Sequence, residues 1–136
     1  VAAAASVSRE AATVPHPSPC RILLVEDNDA LRARTTTILD EDGFDVVSTA
    51  NAESALDHLT GATSFDLLFS SIGLPGMDGW SLAKRASRLY PTMPILLMTT
   101  YAGEIDDRPH FLYPGVNLIR KPFTAEEVLG SVRELA

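Results

Sequence analysis

Asp66-Leu67-Leu68-Phe69-Ser70-Ser71-Ile72-Gly73-Leu74-Pro75-Gly76-Met77-Asp78-Gly79 carries an apolar run into a turn-rich segment, with Ser71 at the junction. The run is short and nearly continuous, the pattern of a strand covered on both faces. Four further runs of this kind lie outward from it, at 22–25, 46–48, 95–98 and 116–119. Three of these close on residues with chemistry to offer. Glu26-Asp27 follows the first, Thr99 closes the run at 95–98, and Lys121-Pro122-Phe123 follows the last.

Between the runs the apolar residues change to helical spacing. Leu31, Thr35, Ile38 and Leu39 share one stripe, and Gly43 supplies a stop. Asn51 caps a second helix carrying Ala52, Ala55, Leu56 and Leu59, ended by Gly61. Leu82, Ala83, Ala86 and Leu89 mark a third, stopped by Pro91. Thr124 with Glu127 forms a capping box ahead of Val128, Leu129, Val132 and Leu135. From Thr100 to Gly115, Pro109 and Pro114 interrupt the pattern, so the helix expected there is short or irregular. Strands alternating with helices predict an α/β fold, a doubly wound five-stranded parallel sheet with about five helices, flavodoxin-like in layout. In such sheets the site lies beyond the carboxyl ends of the strands. That rule gathers Glu26, Asp27, Ser71, Thr99 and Lys121.

Composition narrows the function classes. The 136 residues suffice for one domain and one core. Net charge is −7 without a block of lysine and arginine, which argues against nucleic acid as a partner. No apolar run is long enough to span a bilayer, so no membrane contact is expected of this domain. Cys20 is the single cysteine, which excludes an internal disulfide and fits a reducing cytoplasm. Residues 1–19 are small and then proline-alternating, which reads as a flexible linker ahead of a domain at 20–136. The chain opens on Val1, which suggests a processed terminus or, as the favoured expectation, a piece of a longer protein.

Taken together, the acidic pair, Ser71 with the turn over 75–79, Thr99 and Lys121-Pro122-Phe123 resemble the receiver domain of two-component response regulators and hybrid histidine kinases. The resemblance spans nearly all of 21–136. It implies that Ser71 stands where the family carries an aspartate that accepts a phosphoryl group from a kinase histidine. It also implies that Glu26, Asp27 and the backbone carbonyl of Gly73 are what remains of a Mg²⁺ site, a hard cation served by oxygen ligands. Thr99 and Lys121 are then the hydroxyl and ammonium that support the phosphoryl group.

Two departures from the family pattern follow. Ser71 offers a neutral hydroxyl, so no acyl phosphate forms, and Mg²⁺ is expected to be weak or absent. Leu118 occupies the place where many relatives carry a switching aromatic ring, and Tyr101 is the candidate substitute. Lys121 is expected to neutralise the acidic pair directly, as a static salt bridge. His58 reads as a surface histidine, His16 and His110 offer no ligand spacing, and Trp80 is expected to pack at the start of the third helix.

The resulting expectation is a cytoplasmic signalling domain rather than an enzyme. It is a receiver from a phosphorelay, expected as the carboxyl-terminal module of a hybrid histidine kinase because of the linker before it and the lack of an output region after Ala136, with a stand-alone receiver as the alternative. It would dock a histidine kinase or histidine phosphotransfer domain as a natural pseudo-receiver. The alternatives are a normal receiver with an engineered aspartate-to-serine change and, from another class, a Ser/Lys hydrolase, disfavoured because no Gly-x-Ser-x-Gly elbow surrounds Ser71. A monomer or weak dimer is expected, since the usual dimer face in relatives includes the interrupted helix.

Overall fold

The computed structural model describes residues 20–100 and 116–136. Strands β1 (Arg21–Val25), β2 (Asp45–Thr49), β3 (Leu67–Ser71), β4 (Ile95–Thr99) and β5 (Val116–Arg120) form one parallel sheet in the order β2-β1-β3-β4-β5. The helices are α1 (Asp29–Glu41), α2 (Ala52–Leu59), α3 (Gly79–Leu89) and α4 (Ala125–Leu135). The linker read at 1–19 and the irregular helix expected between Thr100 and Gly115 lie outside the described residues, as does Tyr101.

Alternation along the strands sends side chains to two cores. Leu23, Val25, Leu68 and Leu97 pack with α2 and α3, while Ile22, Leu24, Phe69 and Met98 pack with α1 and α4. Every residue of β3 and β4 is buried, as expected of strands covered on both faces. The edge strands correct that expectation. β2 is mostly half-buried, and β5 exposes Asn117 and Arg120. An edge strand has a neighbour on one side only, and short apolar runs in the sequence do not reveal which strands will be edges.

The local signals for the helices are realised as side-chain caps. Asn51 Oδ1 accepts the Ser54 N–H at 2.8 Å. Thr124 Oγ1 accepts the Glu127 N–H at 3.1 Å, and Glu127 returns a bond from the Thr124 N–H at 2.8 Å. Asn28 and Asp78 cap α1 and α3 in the same way. Trp80 is buried in the core at the start of α3. Leu89 departs from its expected place, because it is 45% exposed although it continues the stripe of Leu82 and Ala86. The helix runs one turn past the core that its stripe predicts.

The turn after β3 is fixed by close approach. The Gly79 N–H donates to the Ile72 carbonyl at 2.8 Å. A Cβ on Gly79 would sit 2.1 Å from the Ser71 carbonyl oxygen, so only glycine fits. Gly76 has φ +72°, and Glu53 on α2 accepts the Met77 N–H at 3.2 Å. The segment after Ser71 is therefore held from both ends.

Candidate functional site

In this strand order β1 leads to one side of the sheet and β3 to the other, so a crevice opens past their carboxyl ends. Glu26 and Ser71 stand there. Glu26 is 1% exposed, and its carboxylate takes three donors. Oε1 accepts hydrogen bonds from the Ser71 hydroxyl and, at 2.7 Å, from Lys121 Nζ. Oε2 accepts the Asn28 N–H at 2.9 Å. The salt bridge expected from Lys121 forms, and it selects Glu26.

The backbone brings these groups together. Glu26 N–H bonds to the Thr49 carbonyl at 3.1 Å, anchoring the end of β1 to β2. The Lys121 N–H bonds to the Thr99 carbonyl at 2.7 Å, which carries the lysine to the end of β4. The Lys121-Pro122 peptide is cis. Ser71 and Thr99 are each 1% exposed. Sequence reasoning missed Arg32, which donates to the Glu26 carbonyl at 2.8 Å and to Asp29 Oδ1 at 2.6 Å. An arginine one turn inside α1, just after the acidic pair, was the available signal.

The paired acids have opposite electrostatics. Burial pushes the Glu26 carboxyl up, but the hydrogen bonds from Lys121, Ser71 and Asn28 outweigh it and hold it below the ordinary carboxylate range. Asp27 is exposed, and its carboxyl is pushed up by partial desolvation and by the neighbouring Glu26. Gly73 lies exposed in the loop after β3. Leu118 sits apart from the cluster, half-buried against the core that also holds Leu97. A cavity of about 370 Å³ lined by Leu31, Arg34, Thr100, Lys121, Pro122 and Phe123 opens beside the lysine.

The side-chain oxygens that could serve a Mg²⁺ here are those of Glu26, Asp27 and Ser71. One carboxylate is buried with all its donors in place, the second is exposed, and the third oxygen is a neutral hydroxyl already bonded to the first. Among the described residues no three His, Cys, Asp or Glu side chains converge as metal ligands.

Comparison with known proteins gives the family. Residues 22–133 match the response regulator receiver domain, and the chain belongs to that family. It is 37% identical over 113 residues to the response regulator protein FleR of Pseudomonas aeruginosa (strain PAO1), covering 82% of this chain and 24% of that protein. The chain spans about a quarter (24%) of the length of the curated relatives it matches. The structure is similar to a CheY-like receiver domain protein from Methanospirillum hungatei JF-1, with TM-score 0.79, 30% identity and coverage of 86% and 93% of the two chains. The receiver domain of the hybrid histidine kinase CckA gives TM-score 0.71 at 30% identity, over 85% of this chain and 97% of that one. Receiver domains are signalling domains that interact with histidine kinases or phosphotransfer proteins, and they typically bind Mg²⁺ at the phosphorylation site. No helix among the described residues is long and apolar enough to cross a membrane.

Proposed function

We propose that this receiver is a pseudo-receiver, a cytoplasmic docking domain held in one state, with Ser71 in the place of the family's phosphoaccepting aspartate. The observation that carries the reading is the contact of Ser71 with Glu26 at the carboxyl end of β3. A hydroxyl there cannot form the acyl phosphate. The same hydroxyl, with Lys121, satisfies the buried Glu26 carboxylate, which would otherwise call for a cation. Thr99 and Lys121 keep the supporting positions, and Asp27 and the Gly73 carbonyl remain as an incomplete set of metal ligands. Natural loss of the aspartate and deliberate replacement predict the same chemistry.

The parent protein on this reading is a hybrid histidine kinase, supported by the likeness to the CckA receiver. Its docking partner is a histidine kinase or histidine phosphotransfer domain. A Ser/Lys hydrolase finds no support, because Ser71 is 1% exposed and Lys121 directs its ammonium at Glu26.

An amide NMR titration with Mg²⁺ and then beryllofluoride, on this chain and on Ser71→Asp, tests the proposal. The chain should stay silent while Ser71→Asp responds at Thr99 and Lys121. A response of the unchanged chain at those amides would overturn the reading. Silence of both would mean that the loss extends beyond one residue.

A further inference from the structure

The groove between α2 and α3 lies at the other end of the molecule from Ser71, because each helix runs back against its parallel strand and ends below the sheet. Leu56, Thr60, Arg85, Arg88 and Leu89 line a cavity of about 410 Å³ there, with room for more than one apolar side chain. Its apolar lining is Leu56, only half-buried, and Leu89, the exposed end of the α3 stripe. The walls are held in place, because the Tyr90 hydroxyl donates to the Leu59 carbonyl and ties the end of α3 to the end of α2. A groove fixed in advance binds with less ordering cost.

The α3 side of this groove is basic, whereas α2 carries Glu53 and Asp57. The whole chain carries −7. Yet α3 holds Lys84, Arg85 and Arg88 and no acidic residue. Arg21 pairs with Asp45, Arg32 with Asp29 and Arg133 with Asp42, while Arg34 and Arg120 are exposed without an acidic partner among the described residues. Arg85 and Arg88 are exposed at the groove and have no acidic partner among the described residues. Two guanidinium groups beside two leucines match carboxylates that flank an apolar side chain.

We propose that this groove is a docking site for an acidic amphipathic helix of a partner protein. Its leucine-like side chains would enter against Leu56 and Leu89, and its carboxylates would pair with Arg85 and Arg88. The helix-in-groove mode supplies the spacing, one apolar anchor per turn. A polyanion such as nucleic acid is disfavoured by the net charge of the chain. The inference extends the docking reading given above but does not depend on the chemistry of Ser71.

The probe is a synthetic amphipathic helix with leucines one turn apart flanked by glutamates, added to the whole chain and followed by amide NMR. Shifts should gather at Leu56, Thr60, Arg85 and Leu89. The double change Arg85→Glu with Arg88→Glu should weaken binding about tenfold or more. The same peptide with lysine for glutamate should not bind. Absence of shifts, shifts confined to the strand-end site, or equal binding of the lysine peptide would each overturn the proposal. The substituted residues are exposed, and the amide spectrum of each variant reports its fold directly. Failure here leaves the Mg²⁺ and beryllofluoride result untouched, so the two readings fall separately.

Discussion

The strand-end cluster and the α2–α3 groove both carry charged side chains, in opposite conditions. At the strand ends Glu26 is 1% exposed and every donor around it is used. In the groove Arg85 and Arg88 are exposed and have no acidic partner among the described residues. Charges that are satisfied internally are costly to break apart and leave little for a ligand. Charges left open contribute little to stability and remain available for recognition. The contrast predicts that substitutions at the first region are read in folding and those at the second in binding.

The largest effect is expected where the backbone beneath the site admits no side chain. Gly79→Ala would place a methyl group 2.1 Å from the Ser71 carbonyl oxygen and 2.7 Å from Ile72 Cα. Neither neighbour is a flexible side-chain tip, so the turn after β3 must move. A loss of at least about 3 kcal/mol is expected, at the upper end of the range for overpacking. Denaturant unfolding checks it. A loss under about 1 kcal/mol would show that the turn is softer than the packing implies.

Next comes Lys121→Met, which leaves Glu26 buried without its cation. Removing one partner of a fully buried pair costs about 3–5 kcal/mol. The Lys121 side chain is 17% exposed, so a loss nearer about 2 kcal/mol is expected. The pH dependence makes the test sharper. The folded Glu26 carboxyl sits below its unfolded value, so its stabilisation is complete above the ordinary glutamate range, about 4.3, and is lost as pH falls through the folded value. Asp27 is shifted upward and works in the opposite sense: its contribution is present below the ordinary aspartate range and fades as pH rises. In Lys121→Met the desolvation of Glu26 loses its main opponent. The acid side of the stability curve should then flatten or reverse, and an unchanged acid slope would count against the pair.

Much of this was legible in the sequence. The five runs, the caps at Asn51 and Thr124, and the grouping of Glu26, Ser71 and Lys121 at strand ends all depend on local pattern or on a topological rule. The rest depended on long-range packing. Which strands would be edges, and that Leu89 would overrun the core, follow from sheet order and helix length. The choice of Glu26 over Asp27 as the partner of Lys121 follows from burial that differs between adjacent residues. Alternation along a strand's end points one side chain inward and the next outward, and a sequence alone does not fix which.

Ser71→Asp should move the strand-end region toward the open condition of the groove. A third carboxylate beside buried Glu26 creates unbalanced negative charge that a divalent cation can relieve. Thermal unfolding of Ser71→Asp should therefore depend on Mg²⁺, with about 1.4 kcal/mol gained at ten times the dissociation constant. The unchanged chain should show no such gain. A Mg²⁺ gain of equal size in both would mean that Asp27 and Glu26 already suffice for the ion.

The smallest effect on folding is expected at the groove, and that smallness is itself the test. Arg85→Ala and Arg88→Ala remove no internal ion pair and uncover no core, so each should change stability by no more than about 0.5 kcal/mol. Chemical denaturation measures this independently of any ligand. A clearly larger loss would show that the guanidinium groups are engaged within the domain and would place the groove in the same class as the strand-end cluster. A small loss, together with reduced binding of the acidic helix, would keep the two regions distinct. One would then be a charge arrangement that holds the domain in its state, and the other a charge arrangement that lets it be recognised.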